Sequence, residues 1–214
     1  MKIGIIGSGV VGKTLAKAFS AEGHNVILGT RNTSKEDVVK FNKETAIAVA
    51  DFENTAANSE LIVLCTKGSV AEEALKLAGI ANLSGKIIID TTNPITDAPP
   101  VNGALKYFTL ANESLMEQSQ KLVPGAKFVK AFNSVGNAVM YKPNYAEGKP
   151  TMFICGNDDA AKKTVTEILT SFGWETEDTG KAELAGSIES LCILWCAKGF
   201  NENVWNHAFK LLKK

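Results

Sequence analysis

The hydrophobic pattern along the chain switches repeatedly between two periods. Short runs rich in β-branched residues, Lys2–Ile6, Asn25–Leu28, Ala46–Ala50, Leu61–Thr66, Lys86–Asp90, Lys127–Phe132 and Thr151–Cys155, read as strands. Between them, Val10–Glu22, Val70–Leu77, Ser114–Leu122, Asp158–Phe172 and Ala182–Lys198 carry apolar residues three and four apart, the spacing of one helix face. Asn157-Asp158-Asp159 supplies a helix start. Strand followed by helix followed by strand predicts an α/β protein with a Rossmann-type, doubly wound, mainly parallel sheet. The segment YKPNYAEGKP, from Tyr141 to Pro150, interrupts the pattern with two prolines and a glycine. It predicts a larger unit over 1–145 and a small C-terminal α/β extension over 146–214, packed on the first.

Composition narrows the class. The chain has 23 Lys and Arg against 23 Asp and Glu, so it has no cationic surplus with which to hold nucleic acid. Arg31 is the sole arginine. Cys65, Cys155, Cys192 and Cys196 sit inside apolar runs and form no C-x-x-C pair, which predicts buried thiols, no metal site and a reduced, cytoplasmic setting. The opening MKIGIIG is too short an apolar run for a signal peptide, and no stretch approaches the ~18 apolar residues of a membrane span. Neither nucleic acid nor membrane is expected as a partner.

The first strand ends in Gly7-Ser8-Gly9-Val10-Val11-Gly12, a G-x-G-x-x-G that opens a helix. Gly7 permits the tight turn, Gly9 lets backbone approach a pyrophosphate, and Gly12 lets helix and strand pack closely. The anion would sit on the amides of the helix N-terminus, where the macrodipole favours it. About 20 residues further on, where NAD enzymes carry an acidic residue for the ribose hydroxyls, this chain reads Leu28-Gly29-Thr30-Arg31-Asn32. No carboxylate stands there to repel a phosphate. Arg31 brings a planar donor fork, Thr30 a hydroxyl and Asn32 an amide, with Ser34 and Lys35 close in sequence, so the cofactor predicted is NADP. Two further polar groups, Thr66 to Ser69 and Asp90-Thr91-Thr92-Asn93-Pro94-Ile95, follow strands and fall at the carboxyl edge where such sheets bind ligands.

The inventory for acid–base chemistry is thin. His24 sits in the turn between the first helix and the second strand, on the edge away from the motif, and His207 is expected within the C-terminal helix. Glu175, Glu177 and Asp178 read as a solvated acidic face, and Cys192 and Cys196, four apart, as core. No nucleophile–base pairing can be assembled. Direct hydride transfer between two stacked redox rings needs none, so no catalytic side chain is predicted.

KIGIIGSGVVGKTLAKAF, the strand end GTR, DTTNP, VKAFNSVG at Val129–Gly136, TMFICGND and IESLCILWC, taken in order, resemble the family of coenzyme F420-dependent NADP oxidoreductases. The cytosolic reductase domain of the membrane ferric reductases is similar too. The resemblance implies a homodimer in which NADP crosses the strand edge and a deazaflavin (F420) or flavin acceptor stacks on the nicotinamide. By position it assigns Ser8, Gly9, Val10 and Val11 to the diphosphate and Thr30, Arg31 and Lys35 to the 2′-phosphate. It assigns Thr66, Asn93, Pro94, Ala131 and Asn133 to the nicotinamide ribose and ring. Two alternatives stay open: a reductase of a small imine or hydroxyacid, and a non-enzymatic NADP(H) sensor. The first usually carries a long helical second domain, for which the ~65 residues after the boundary leave little room.

Overall fold

The structure is a computed structural model and describes residues 1–213. In chain order the elements are β1 (Lys2–Ile6), α1 (Val10–Ala21), β2 (Asn25–Gly29), α2 (Glu36–Thr45), β3 (Ala48–Ala50), α3 (Phe52–Ala57) and β4 (Leu61–Leu64). There follow α4 (Ala71–Ala78), α5 (Ile80–Leu83), β5 (Ile87–Asp90), α6 (Leu115–Leu122), β6 (Lys127–Lys130), β7 (Thr151–Gly156), α7 (Asp159–Ser171), β8 (Glu175–Asp178) and α8 (Ala185–Glu202). The strands form one sheet in the order β3-β2-β1-β4-β5-β6-β7-β8. Every pairing is parallel except β6 with β7.

The central strands are apolar along their length because helices cover both faces of a parallel sheet. All four residues of β4 are buried, as are Ile3, Ile5 and Ile6 of β1. One face packs under Leu15 and Phe19 of α1, Phe41 of α2 and Val165 and Leu169 of α7. The other packs under Phe52 of α3, Leu75 of α4, Leu115 and Met116 of α6 and Ile188 of α8. The doubly wound sheet read from the alternation is therefore present. Strand order reverses between β1 and β4, and that reversal opens a crevice at their carboxyl ends.

Residues after Pro150 join the same sheet: Val129 and Lys130 of β6 pair with Gly156 and Cys155 of β7. Phe172, just after α7, packs against Phe19 and Phe132 from the N-terminal portion. The acidic run Glu175–Asp178 forms the edge strand β8, exposed at both ends, with Asp178 held by Lys162 at 2.8 Å and Glu175 by Lys210 at 3.1 Å. Charge hid the strand, since an edge tolerates outward carboxylates that a period-two reading counts against it. His207 does not lie in a helix. Asn203 takes φ 54° and ends α8, and His207 follows in an extended tail with its ring stacked on Trp195 at 5.0 Å. Gly199 permits this return, because a Cβ there would overlap the Trp205 ring.

Candidate functional site

Two clefts flank the crevice. The first lies over the glycine loop and is lined by Ser8, Gly9, Val10, Lys13, Lys35 and Asp37. Gly7 sits at φ +122° with its Cα hydrogen against the Cys65 carbonyl, and a Cβ on Gly12 would overlap the Gly7 carbonyl oxygen. These two glycines are therefore fixed by strand and helix packing. Gly9 is different: nothing lies within 4 Å of where its Cβ would be. The open space above it, at the start of α1, is where a pyrophosphate could meet backbone. Val10 is 63% exposed beside it, an apolar side chain left uncovered at the mouth of the cleft, while Val11 is partly buried and packs on the core.

The end of β2 is tied to this loop. The Ser8 hydroxyl donates to Thr30 Oγ1 at 3.0 Å, so a buried threonine orients the loop's serine. Asn32 Oδ1 accepts from the Ser34 amide at 3.0 Å and shapes the turn into α2. Arg31 is exposed, and among the described residues no hydrogen bond or ion pair engages its guanidinium. Lys35 and Lys13 both hold Asp37, at 3.2 and 2.7 Å, and their ammonium groups keep that carboxyl below its usual range. The arrangement gathers two cations, Lys13 and Lys35, around one acid beside the end of β2.

The second cleft is lined by Thr66, Lys67, Gly68, Thr91, Thr92 and Asn93. Gly68 has no room for a Cβ, which would overlap the Asn93 carbonyl oxygen, so the two loops touch through backbone. Asn93 and Asn133, forty residues apart, are in direct contact. Asn93 Nδ2 donates to the Asn133 carbonyl at 2.8 Å, and Asn133 Nδ2 donates to Asn93 Oδ1 and to the Ile188 carbonyl, each at 3.0 Å. Pro94 is buried beside them. Ala131 is fully buried, its side chain in the core and its amide donating to the Asp90 carbonyl at 3.1 Å. Three buried oxygens here, Thr66 Oγ1, Thr96 Oγ1 and Asn133 Oδ1, have no partner within the described residues. Unsatisfied buried polar atoms are rare, and Thr66 and Thr96 line this cleft, while Asn133 lies buried behind Asn93. With the open space over Gly9, they fit the residues to an extended dinucleotide.

Beneath this cleft lies a charged cluster that the hydrophobic pattern concealed. Lys130, the last residue of β6, is fully buried and meets Asp90 Oδ2 and Glu189 Oε1, each at 2.7 Å. Burial opposes the ammonium charge, but the two carboxylates outweigh it and hold Lys130 above its ordinary value. Burial raises Glu189, and Lys130 offsets only part of that rise. Glu189 also accepts from the amides of Leu115 and Met116 at the start of α6. The sequence did hold a signal, since Lys130 and Asp90 are charged residues inside otherwise apolar strand runs, where burial demands a partner.

The remaining titratable groups stand apart. His24 lies before β2, at the opposite sheet edge, and burial lowers its pKa. Cys65 and Cys155 are buried thiols pushed up to about 12 by burial. Cys192 is buried, and its sulfur lies 3.8 Å from that of half-buried Cys196. Among the described residues no group of three metal-ligating side chains forms, and no helix is long and apolar enough to cross a membrane.

Residues 2–94 match the family model described as NADP oxidoreductase, coenzyme F420-dependent. The fold superposes on the crystal structure of a protein from Arthrobacter sp. FB24, provisionally designated an F420-dependent NADP reductase, with a TM-score of 0.92 and 33% identity over 100% of both chains. The F420-dependent NADP reductase of Methanothermobacter thermautotrophicus is 28% identical over 99% of this chain and 94% of its own length. Metalloreductase STEAP3 of Rattus norvegicus is 28% identical over 89% of this chain, which spans 36% of that longer protein.

Proposed function

Because the chain belongs to the coenzyme F420-dependent NADP oxidoreductase family, we propose that it moves hydride directly between NADP(H) and a flavin-like or deazaflavin (F420) acceptor. The observation that carries this reading is the pair of clefts along one strand edge, with Lys13 and Lys35 lining one and the unpartnered buried hydroxyls of Thr66 and Thr96 lining the other. Bound there, NADPH supplies the hydride from its nicotinamide ring. In this reading the amides over Gly9 receive the diphosphate, with Ser8, Val10 and Val11 along it, while Thr30, Arg31, Asn32 and Lys35 receive the 2′-phosphate. Thr66, Asn93 and Asn133 orient the nicotinamide end, and Pro94 and Ala131 form the rigid floor beneath it. Lys67 and Asp97 line the second cleft as an exposed pair 4.0 Å apart; in this reading neither serves as acid or base, because the transfer depends on alignment. Residues 1–145 carry the cofactor, and 146–214 close the sheet and brace the nicotinamide side through α8. A homodimer in the cytoplasm completes the reading.

Protein mixed anaerobically with NADPH and either F420 or FMN is expected to lose nicotinamide absorbance as the acceptor is reduced. No turnover with either acceptor would sink the reading.

A further inference from the structure

The buried cluster is wired to the crevice through a closed ring of contacts. Asp90 Oδ1 accepts from the amide and the hydroxyl of Thr92, at 2.9 and 2.7 Å. Lys130 Nζ donates to the Thr92 carbonyl at 2.9 Å. Thr92, the residue before Asn93, is thus held at its amide by Asp90 and at its carbonyl by Lys130. From the other side, Lys130 is followed by Ala131 and then by Phe132, which is fully buried at φ 63°. A bulky residue in the left-handed region is strained and persists only where its surroundings impose it. That turn aims the Asn133 amide back at Asn93. Glu189 completes the ring, because the residue before it, Ile188, accepts from Asn133, while its own carbonyl accepts from the Tyr107 hydroxyl at 2.5 Å.

Lys130 is too buried to touch a ligand. Its energetic setting is nonetheless unusual: one ammonium faces two carboxylates, and removing one member of such a buried group leaves charge uncompensated. Such an arrangement is weak evidence for stability, since an apolar replacement of the same shape often does as well. It does fix geometry at the Thr92 carbonyl, one residue before the Asn93–Asn133 pair.

We infer that Lys130 is a positioning residue for the nicotinamide end of the cofactor: clamped by Asp90 and Glu189, it sets the Asn93–Asn133 amide pair. The inference rests on the NADP(H) reading given above. The adenosine end, around Arg31, lies across β4 and β1 from β5 and β6 and shares no contact with the cluster. Loss of the clamp therefore acts on one half of the cofactor alone.

The test compares two ligands, 2′,5′-ADP, which has no nicotinamide, and NADPH, by calorimetry, with the fluorescence of bound NADPH as a second readout. In Lys130→Met, NADPH affinity is expected to fall about tenfold, the scale of one lost charge-assisted contact. Affinity for 2′,5′-ADP should stay within about twofold, and the fluorescence change on NADPH binding should shrink. The double variant Lys130→Met/Glu189→Gln removes one charge of each sign and serves where the single variant fails to fold; the same split is expected. Equal losses for both ligands, no loss for either, or failure of both variants to fold would overturn the inference and assign the cluster to the core alone. Wild-type protein that binds neither ligand would overturn the cofactor reading itself.

Discussion

In the proposed reading, cofactor choice turns on Arg31. It is exposed at the end of β2, unengaged by any described side chain, and next to a loop already organised by the Ser8–Thr30 hydrogen bond. A guanidinium can meet a phosphate with two parallel bonds, whereas Lys35 and Lys13 act as point charges and already share Asp37. Arg31→Ala is therefore expected to weaken NADPH binding by roughly 1.5–3 kcal/mol and leave NADH binding nearly unchanged. Equal losses for the two in a fluorescence titration would show that Arg31 serves the fold. Its place just after β2, with the glycine motif before it, was legible in the sequence because both follow from one strand and one turn. The Asp90–Lys130–Glu189 cluster was not, since its members come from β5, β6 and α8 and meet only after the chain has closed.

Among the elements, α7 shows how local chemistry sets a boundary. Asp158 caps its first turn by accepting from the Ala161 amide at 2.8 Å, and Lys127 reaches the same carboxyl at 3.2 Å. The backbone hydrogen bond, followed by the lysine, holds the carboxyl below its ordinary value of 3.8. A carboxyl depressed in the folded state contributes stability that is present above its unfolded pKa and is lost as pH falls through the folded one. Asp158→Ala is thus expected to lower the melting temperature at neutral pH, and the gap to wild type should narrow as pH drops below about 4. A gap that stays constant down to pH 2.5 would show that the cap's charge contributes nothing. The start of α7 was readable because a cap acts within three residues. The edge strand β8 and the helices α2 and α3 were not. The acid-rich β8 lies at an open edge, and α3, six residues long, is too short for a period to show.

At the scale of the whole molecule, the eight strands bring to one edge five segments that are far apart in the chain: the glycine loop, the end of β2, the loop after β4, the DTTNP segment after β5, and the turn after β6. Two helical layers hold these ends rigid, and α8 supports the last of them from below through Ile188 and Glu189. The alternation of strand and helix made this layout legible. The path of the final eleven described residues was not, because aromatic spacing around Trp205 and His207 mimics a helix face while Asn203 turns the chain into an extended tail.

In the proposed reading such a scaffold supplies alignment without acid–base chemistry, and isotope tracing tests that claim most directly. Carbon-bound hydrogen at the reactive position of a reduced deazaflavin does not exchange with water, so its origin can be read after the reaction. With NADPH deuterated at the transferred position and F420 as acceptor, deuterium should appear on the acceptor carbon at full stoichiometry, and none should enter that carbon from D2O when unlabelled NADPH is used. Deuterium lost to solvent, or solvent deuterium at that carbon, would contradict direct transfer and require a side-chain or water relay.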